Sequence, residues 1–121
     1  MTLTYEDTTS GLTEHSVGGT LVVAPQGEID MAVVPGLTAR LDVLTADPLP
    51  DLVLDLRAVT FVDCAGLGAL CRARTRAVAA CGRLRLVTDD ESVLRVLRMT
   101  GLDWAFDISP ALPWEMAART G

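Results

Sequence analysis

The chain has 121 residues, of which 50% are hydrophobic and 21% are charged; this composition predicts a single folded domain over residues 1–121 and excludes a disordered chain. Its net charge of −6, from 16 acidic and 10 basic residues, argues against nucleic-acid binding and against direct docking on an anionic membrane. No apolar run is long enough to cross a bilayer, and the first residues lack the pattern of a signal peptide, so we expect a cytoplasmic protein.

The N-terminal part of the chain predicts short strands. Residues 2–6 and 14–17 fit a weak strand pair, and a strand over residues 20–28 follows the Gly18-Gly19 turn. Pro25 lies within that strand and indicates an edge strand or a bulge, because proline cannot donate a ladder hydrogen bond.

A helix and a strand are predicted next. Apolar residues at helical spacing predict a helix over residues 33–46, with Asp30 just upstream as a possible cap. The apolar residues of this helix are Val34, Leu37, Leu41 and Leu44. Residues 51–56 alternate in polarity and predict a strand with three leucines on one face. Those leucines are Leu52, Leu54 and Leu56.

A second helix is predicted over residues 65–80, after an apolar run at residues 59–62. Asp63 is placed to cap it, and Gly82 is placed to end it. The predicted apolar stripe of this helix consists of Leu67, Leu70, Cys71, Val78 and Cys81. We expect Cys71 and Cys81 to lie in the core, and an odd count of three cysteines predicts reduced thiols.

Strands and helices continue to alternate to the end of the chain. The predicted elements are a strand over residues 83–87, a helix through residues 93–99, a strand over residues 106–108 and a final helix from residue 109 through Met116. Asp89 or Asp90 can cap the first of these helices, and Gly101 can end it. Strands separated by helices predict an α/β fold with a mostly parallel sheet, and the paired strands at the start predict an antiparallel N-terminal edge.

One long segment carries a family resemblance. Residues 52–70 read LVLDLRAVTFVDCAGLGAL, with Gly-Glu-Ile-Asp at residues 27–30 upstream and related apolar patterns at residues 82–87 and 93–102 downstream. In order and spacing, these segments resemble the STAS domain of bacterial anti-sigma factor antagonists. The resemblance implies a single STAS domain over residues 1–121, with a mixed, mostly parallel β-sheet, an antiparallel N-terminal edge and about four α-helices.

The resemblance also implies a function in partner switching. Such antagonists bind an anti-sigma factor, usually one with an ATP-binding serine-kinase fold, and so free a sigma factor for transcription. The anti-sigma factor switches the antagonist off by phosphorylating a serine at the start of the helix after the central strand, and a phosphatase reverses this.

This chain departs from the family at the phosphorylated position. The usual run is Asp-Ser-Ser-Gly or Asp-Ser-Thr-Gly, whereas here Asp63-Cys64-Ala65-Gly66 occupies it, and Ala65 at the acceptor position has no hydroxyl. Two interpretations remain open. The chain is a permanently unphosphorylated antagonist, or it is a scaffold STAS subunit of another signalling or transport complex.

By resemblance, the partner-binding surface lies around the start of this helix and the strand end upstream. The predicted residues are Glu28, Asp30, Asp63, Cys64, Ala65, Gly66 and Leu67. Asp30 and Asp63 have the alternative interpretation of plain helix caps. Cys64 at a helix N-terminus could be a reactive thiol and a redox switch, or a small residue replacing serine.

Other features predict little chemistry. His15 is the only histidine, so neither a metal site nor a cofactor is predicted, and no nucleophile–base pair points to an enzyme. Arg72, Arg74 and Arg76 are predicted to form a solvated helix face, with pairing to acidic groups of a partner as the alternative.

Overall fold

Helices and strands alternate along the chain, as the sequence pattern predicts. The computed structural model describes residues 7–9 and 12–120, with side chains for residues 12–116. In this part the strands are β1 (Asp7–Thr9), β2 (Leu12–Val17), β3 (Thr20–Pro25), β4 (Gly27–Ile29), β5 (Asp51–Asp55), β6 (Val59–Val62), β7 (Arg83–Val87) and β8 (Asp107–Ser109). The helices are α1 (Val34–Leu44), α2 (Cys64–Ala79), α3 (Glu91–Met99) and α4 (Pro113–Thr120). The strand predicted over residues 2–6 lies outside the described residues.

Six of these strands form one mixed sheet. Its order is β1-β2-β3-β5-β7-β8, with antiparallel pairing from β1 to β3 and parallel pairing from β3 to β8. The connections between the parallel strands carry helices, as a parallel sheet requires. The predicted α/β fold with an antiparallel N-terminal edge is therefore confirmed.

The strand predicted over residues 20–28 is in fact two strands. Gly27 adopts a φ of 78°, a conformation that favours glycine, and there the chain leaves the large sheet. β4 then pairs in parallel with β6 to form a separate two-stranded sheet. Pro25 is the last residue of β3, which lies between β2 and β5, so the edge-strand alternative is wrong; an irregularity does follow two residues later, where the register shifts between Gly27 and Glu28. The proline ends an interior strand instead.

The large sheet is covered on both faces. Leu52, Leu54 and Leu86 point to one face and pack against the buried residues of α1, α2 and α3. Val53 points to the other face, where it packs with Leu112 just before α4. The predicted alternation of β5 is thus confirmed. Each large aliphatic side chain buried in this way contributes about 1.5–3 kcal/mol to the stability of the fold.

The buried face of α2 differs from the predicted stripe. Val78 is 55% exposed and Cys81 is exposed, whereas Ala73 and Ala77 are fully buried. Alanines let the helix approach its neighbours closely, so small residues take buried positions that a stripe of large apolar residues does not include. Cys71 is half-buried against the core, but the prediction that Cys81 lies in the core is wrong.

The end of α2 also differs in detail from the prediction. Cys81, and not Gly82, adopts the left-handed conformation that follows the helix, with a φ of 63°. Gly82 is needed for space, because a Cβ there would lie 2.1 Å from the carbonyl oxygen of Pro50.

Candidate functional site

The β4–β6 pair brings two acidic residues from distant parts of the chain to the same edge. Glu28 is opposite Phe61 and Ile29 is opposite Val62 in this parallel pair. The next residues, Asp30 and Asp63, therefore leave the sheet side by side. The backbone N–H of Asp63 donates to the carbonyl oxygen of Ile29 at 3.2 Å and so extends the pairing by one more step.

Asp63 caps α2, as the sequence predicts. Its Oδ1 accepts a hydrogen bond of 2.8 Å from the backbone N–H of Gly66, and its carbonyl oxygen accepts one of 2.9 Å from Leu67. The capping carboxylate supplies a partner for an amide that the helix leaves unpaired.

Asp30 caps a turn rather than the helix itself. Its Oδ1 accepts from the N–H of Ala32 at 3.0 Å, and its carbonyl oxygen accepts from Val34 at 3.0 Å. The N-cap residue of α1 is Val33, which provides no side-chain cap. Each carboxylate thus stabilises the turn that follows its own strand, and the pairing of β4 with β6 brings the two turns to the same edge.

The other predicted site residues divide into two groups. Cys64 is exposed and Ala65 is half-buried, so both are accessible on the first turn of α2. Gly66 is buried against Ile29, and Leu67 is 8% exposed within the core. Gly66 and Leu67 therefore shape the site from inside and offer no surface of their own.

Two large apolar side chains at this edge were not predicted. Met31 is 76% exposed and Phe61 is 52% exposed, beside Asp30 and Glu28 respectively. Large apolar side chains that are this exposed are candidates for a contact surface. The strand pattern gives no signal for Phe61, because strict alternation would place it on the same face as the buried Val59.

Two of the three arginines of α2 are bound within the chain. Arg72 donates to both carboxylate oxygens of Asp42 at 3.0 and 2.9 Å. Arg76 donates to the carbonyl oxygen of Asp42 at 3.0 Å and to the hydroxyl of Thr45 at 2.9 Å. The hydrogen bond from Arg72 holds the pKa of Asp42 below its ordinary value of 3.8. Arg72 is exposed, as predicted for a solvated face, whereas Arg76 is half-buried, and both arginines fasten α2 to α1.

Within residues 7–9 and 12–120, no three His, Cys, Asp or Glu side chains are grouped so that they could hold a metal ion. The helices in the same part of the chain include none that is long and apolar enough to cross a membrane. His15 lies on β2 opposite Val22, on the face of the sheet that α4 covers.

Comparison with known proteins places this geometry in a family. Residues 13–113 match the STAS domain family. An anti-sigma factor antagonist from Mycobacterium paratuberculosis is 30% identical, with a TM-score of 0.73 over 98% of this chain and 93% of that one.

Two structures of the antagonist SpoIIAA share the fold. The unphosphorylated form is 16% identical, with a TM-score of 0.64 over 98% of this chain and 97% of that chain. The phosphorylated form, from Bacillus, is 17% identical, with a TM-score of 0.64 over 98% of this chain and 100% of that chain. No curated protein sequence matches the chain. The family match covers most of the 121 residues, and the chain therefore belongs to the STAS domain family.

Proposed function

We propose that the chain is a single STAS domain that acts as an anti-sigma factor antagonist. It binds an anti-sigma factor with an ATP-binding kinase fold and so frees a sigma factor for transcription. The observation that carries the proposal is the β4–β6 pairing, which sets Asp30 beside Asp63 and exposes Met31 and Phe61 at the same edge. The similarity to the mycobacterial antagonist along nearly the whole chain supports the same role.

The contact surface consists of the residues accessible at this edge. They are Glu28, Asp30, Met31, Phe61, Asp63, Cys64 and Ala65. A surface that combines exposed apolar side chains with acidic groups suits a partner that offers apolar and basic residues. Gly66 and Leu67 contribute to binding indirectly, by holding the first turn of α2 against β4.

In this proposal the antagonist is always in its binding-competent form. Ala65 occupies the second position of α2 and offers no oxygen to a kinase, so its partner cannot add phosphate there. Its activity then depends on its own amount or on the state of the anti-sigma factor. A phosphoryl group would add about −1.5 to −2 charges to the contact surface, and this chain lacks that means of release.

The test is direct binding to purified anti-sigma factors of the source cell, measured by calorimetry with ATP and with ADP. We expect one of them to bind and to leave the chain free of phosphate. Ala65→Asp adds a negative charge that the helix N-terminus tolerates, so the fold persists while affinity falls by at least about tenfold. Failure of every anti-sigma factor to bind would refute the proposal, and unchanged binding of Ala65→Asp would place the contact surface elsewhere.

The absence of a hydroxyl at Ala65 also favours a second candidate. A scaffold subunit of a signalling or transport complex needs no phosphorylation switch, and Ala65 is equally suited to it. A stable stoichiometric complex that contains only non-kinase partners would support the scaffold role.

A further inference from the structure

A groove runs along α1 next to the proposed contact surface. It has a volume of about 590 Å³, and its walls come from α1 on one side and from β2, the end of β3 and β4 on the other. Leu12, Pro25 and Ile29 line it from the strand side, and Val33, Gly36 and Val43 line it from the helix side. This volume is in the range of grooves that accept a ligand or a partner side chain.

The helix side of the groove is apolar and open to solvent. Val33 is 40% exposed and Val43 is 59% exposed. A Cβ on Gly36 would have no heavy atom within 4 Å, so this position leaves free space at the middle of the groove. From Val33 to Val43 the groove follows α1 for about 15 Å, which is long enough for two or three side chains of a partner.

The polar groups of the groove indicate the charge of its occupant. Glu14 is only 5% exposed, and both of its carboxylate oxygens are bound by Arg40, at 2.5 and 2.7 Å. This pair is already neutral as a unit. Glu28 at the mouth of the groove is exposed, and Asp30 follows it, so the mouth is acidic. An occupant with a basic flank complements that charge.

The groove is continuous with the proposed contact surface. Glu28 and Ile29 belong to β4, which carries the site, and they also line the groove. Ala32 and Val33 in the turn capped by Asp30 continue the same wall. A partner that binds at Asp63 and Met31 can therefore also contact the exposed apolar residues of α1.

We propose that this groove receives apolar side chains from a basic segment of the anti-sigma factor, which extends the interface from the Asp63 turn along α1. The proposal rests on the proposed function and adds a second contact region to it. The segment places its apolar residues between α1 and β4 and its basic residues over Glu28.

The test fills the groove from the protein's own side. Gly36→Leu puts a side chain into the free space on α1, and leucine also favours the helix over glycine, so the fold is retained. Ala79→Leu is the matched control, because it adds a leucine at an exposed position near the end of α2, outside the groove. We expect Gly36→Leu to weaken binding of the purified anti-sigma factor by at least about tenfold and Ala79→Leu to leave it unchanged.

A charge test accompanies the steric one. Glu28→Lys reverses the charge at the mouth of the groove and should weaken binding by a similar factor. Unchanged binding of Glu28→Lys would show that the occupant has no basic residues near Glu28, and it would overturn that part of the proposal. Circular dichroism and thermal unfolding of each variant check that the fold is intact.

The possible outcomes separate the two proposals. If Ala65→Asp weakens binding and Gly36→Leu does not, the groove proposal is overturned and the antagonist function stands. If the unmodified chain binds no anti-sigma factor, both are overturned. If the chain sediments as a dimer that Gly36→Leu converts to a monomer, the occupant is a second copy of this chain, and the proposed partner segment is wrong.

Discussion

Gly66 on α2 lies directly against Ile29 on β4: a Cβ on Gly66 would be 2.6 Å from the carbonyl oxygen of Ile29. The same carbonyl accepts the N–H of Asp63. The start of α2 therefore lies against the end of β4 at a distance that only glycine permits.

Substitution of Gly66 tests this seating. In Gly66→Ala the new methyl group meets the Ile29 carbonyl and the Val62 side chain, at 2.6 and 2.9 Å, so the helix must move away from β4. We expect a loss of about 1–3 kcal/mol in the free energy of unfolding, and weaker partner binding. Gly68→Ala is the control, since its Cβ would meet nothing within 4 Å. Thermal unfolding should show Gly68→Ala to be more stable than the unmodified chain by up to about 1 kcal/mol.

Asp63 is expected to have two separable roles. Asp63→Ala removes the cap on Gly66 and should cost about 0.5–2 kcal/mol of stability. Asp63→Asn keeps an acceptor oxygen for the same amide but removes the charge. If Asp63 also contacts a basic partner, Asn should retain most of the stability and still bind more weakly. Denaturant unfolding measures the stability of both variants, and calorimetry measures their binding. If Asp63→Asn binds as tightly as the unmodified chain, Asp63 acts only as a helix cap.

The Asp42–Arg72 pair predicts a pH dependence of stability. The hydrogen bond from Arg72 lowers the pKa of Asp42 in the folded chain below the ordinary value of 3.8. The unfolded chain therefore binds more protons in the interval between the two values, so the stabilisation is complete above 3.8 and is lost as pH falls through the folded value.

Thermal unfolding across this acidic range measures the effect. Asp42→Asn should show a smaller decline in melting temperature with falling pH than the unmodified chain. Asp47→Asn is a suitable control, because Asp47 is exposed and lies outside the ion pairs of the described residues. Equal declines for Asp42→Asn and the unmodified chain would show that the pair contributes nothing to folding.

Cys64 offers a chemical probe of the contact surface. Its thiol is exposed on the first turn of α2, whereas Cys81 is exposed beyond the other end of the helix. We expect alkylation with a bulky maleimide to weaken partner binding by the unmodified chain. Cys64→Ser should bind the partner with normal affinity both before and after the same treatment.

Cys81→Ser is the control, since it should leave the inhibition by maleimide unchanged. If Cys64 is a redox switch, a mild oxidant must change the affinity of the unmodified chain and leave that of Cys64→Ser unchanged. Equal affinity of the reduced and oxidised chains would exclude this switch.

Much of the fold follows from local patterns in the sequence. Alternating leucines predict β5 and β7 correctly, because alternate residues of a strand point to the same face and the leucines of both strands face the core under the helices. Asp63 is predicted as one cap and either Asp89 or Asp90 as another, and the structure shows Asp63 and Asp90 accepting hydrogen bonds from the first turns of their helices. These features depend on neighbours within a few residues.

The predictions from the sequence fail where contacts between residues far apart in the chain determine the structure. The break at Gly27 depends on the pairing of β4 with β6, and the burial of Ala73 and Ala77 depends on how closely α2 approaches the sheet. The exposure of Phe61 depends on the same second sheet. No periodicity within one segment records these contacts, so the surface beside Asp30 and Asp63 becomes visible only in three dimensions.

The ion pairs of the chain have a consequence for the speed of association. Among the described residues, seven arginines pair with acids elsewhere in the fold, and these pairs do not include Glu28, Asp30 or Asp63. Glu28, Asp30 and Asp63 therefore add negative charge at the β4–β6 edge that no arginine of these pairs neutralises, on a chain whose net charge is −6. A basic partner would be drawn to that edge during diffusional encounter, and its rate of capture would fall as ionic strength rises while its dissociation changes little.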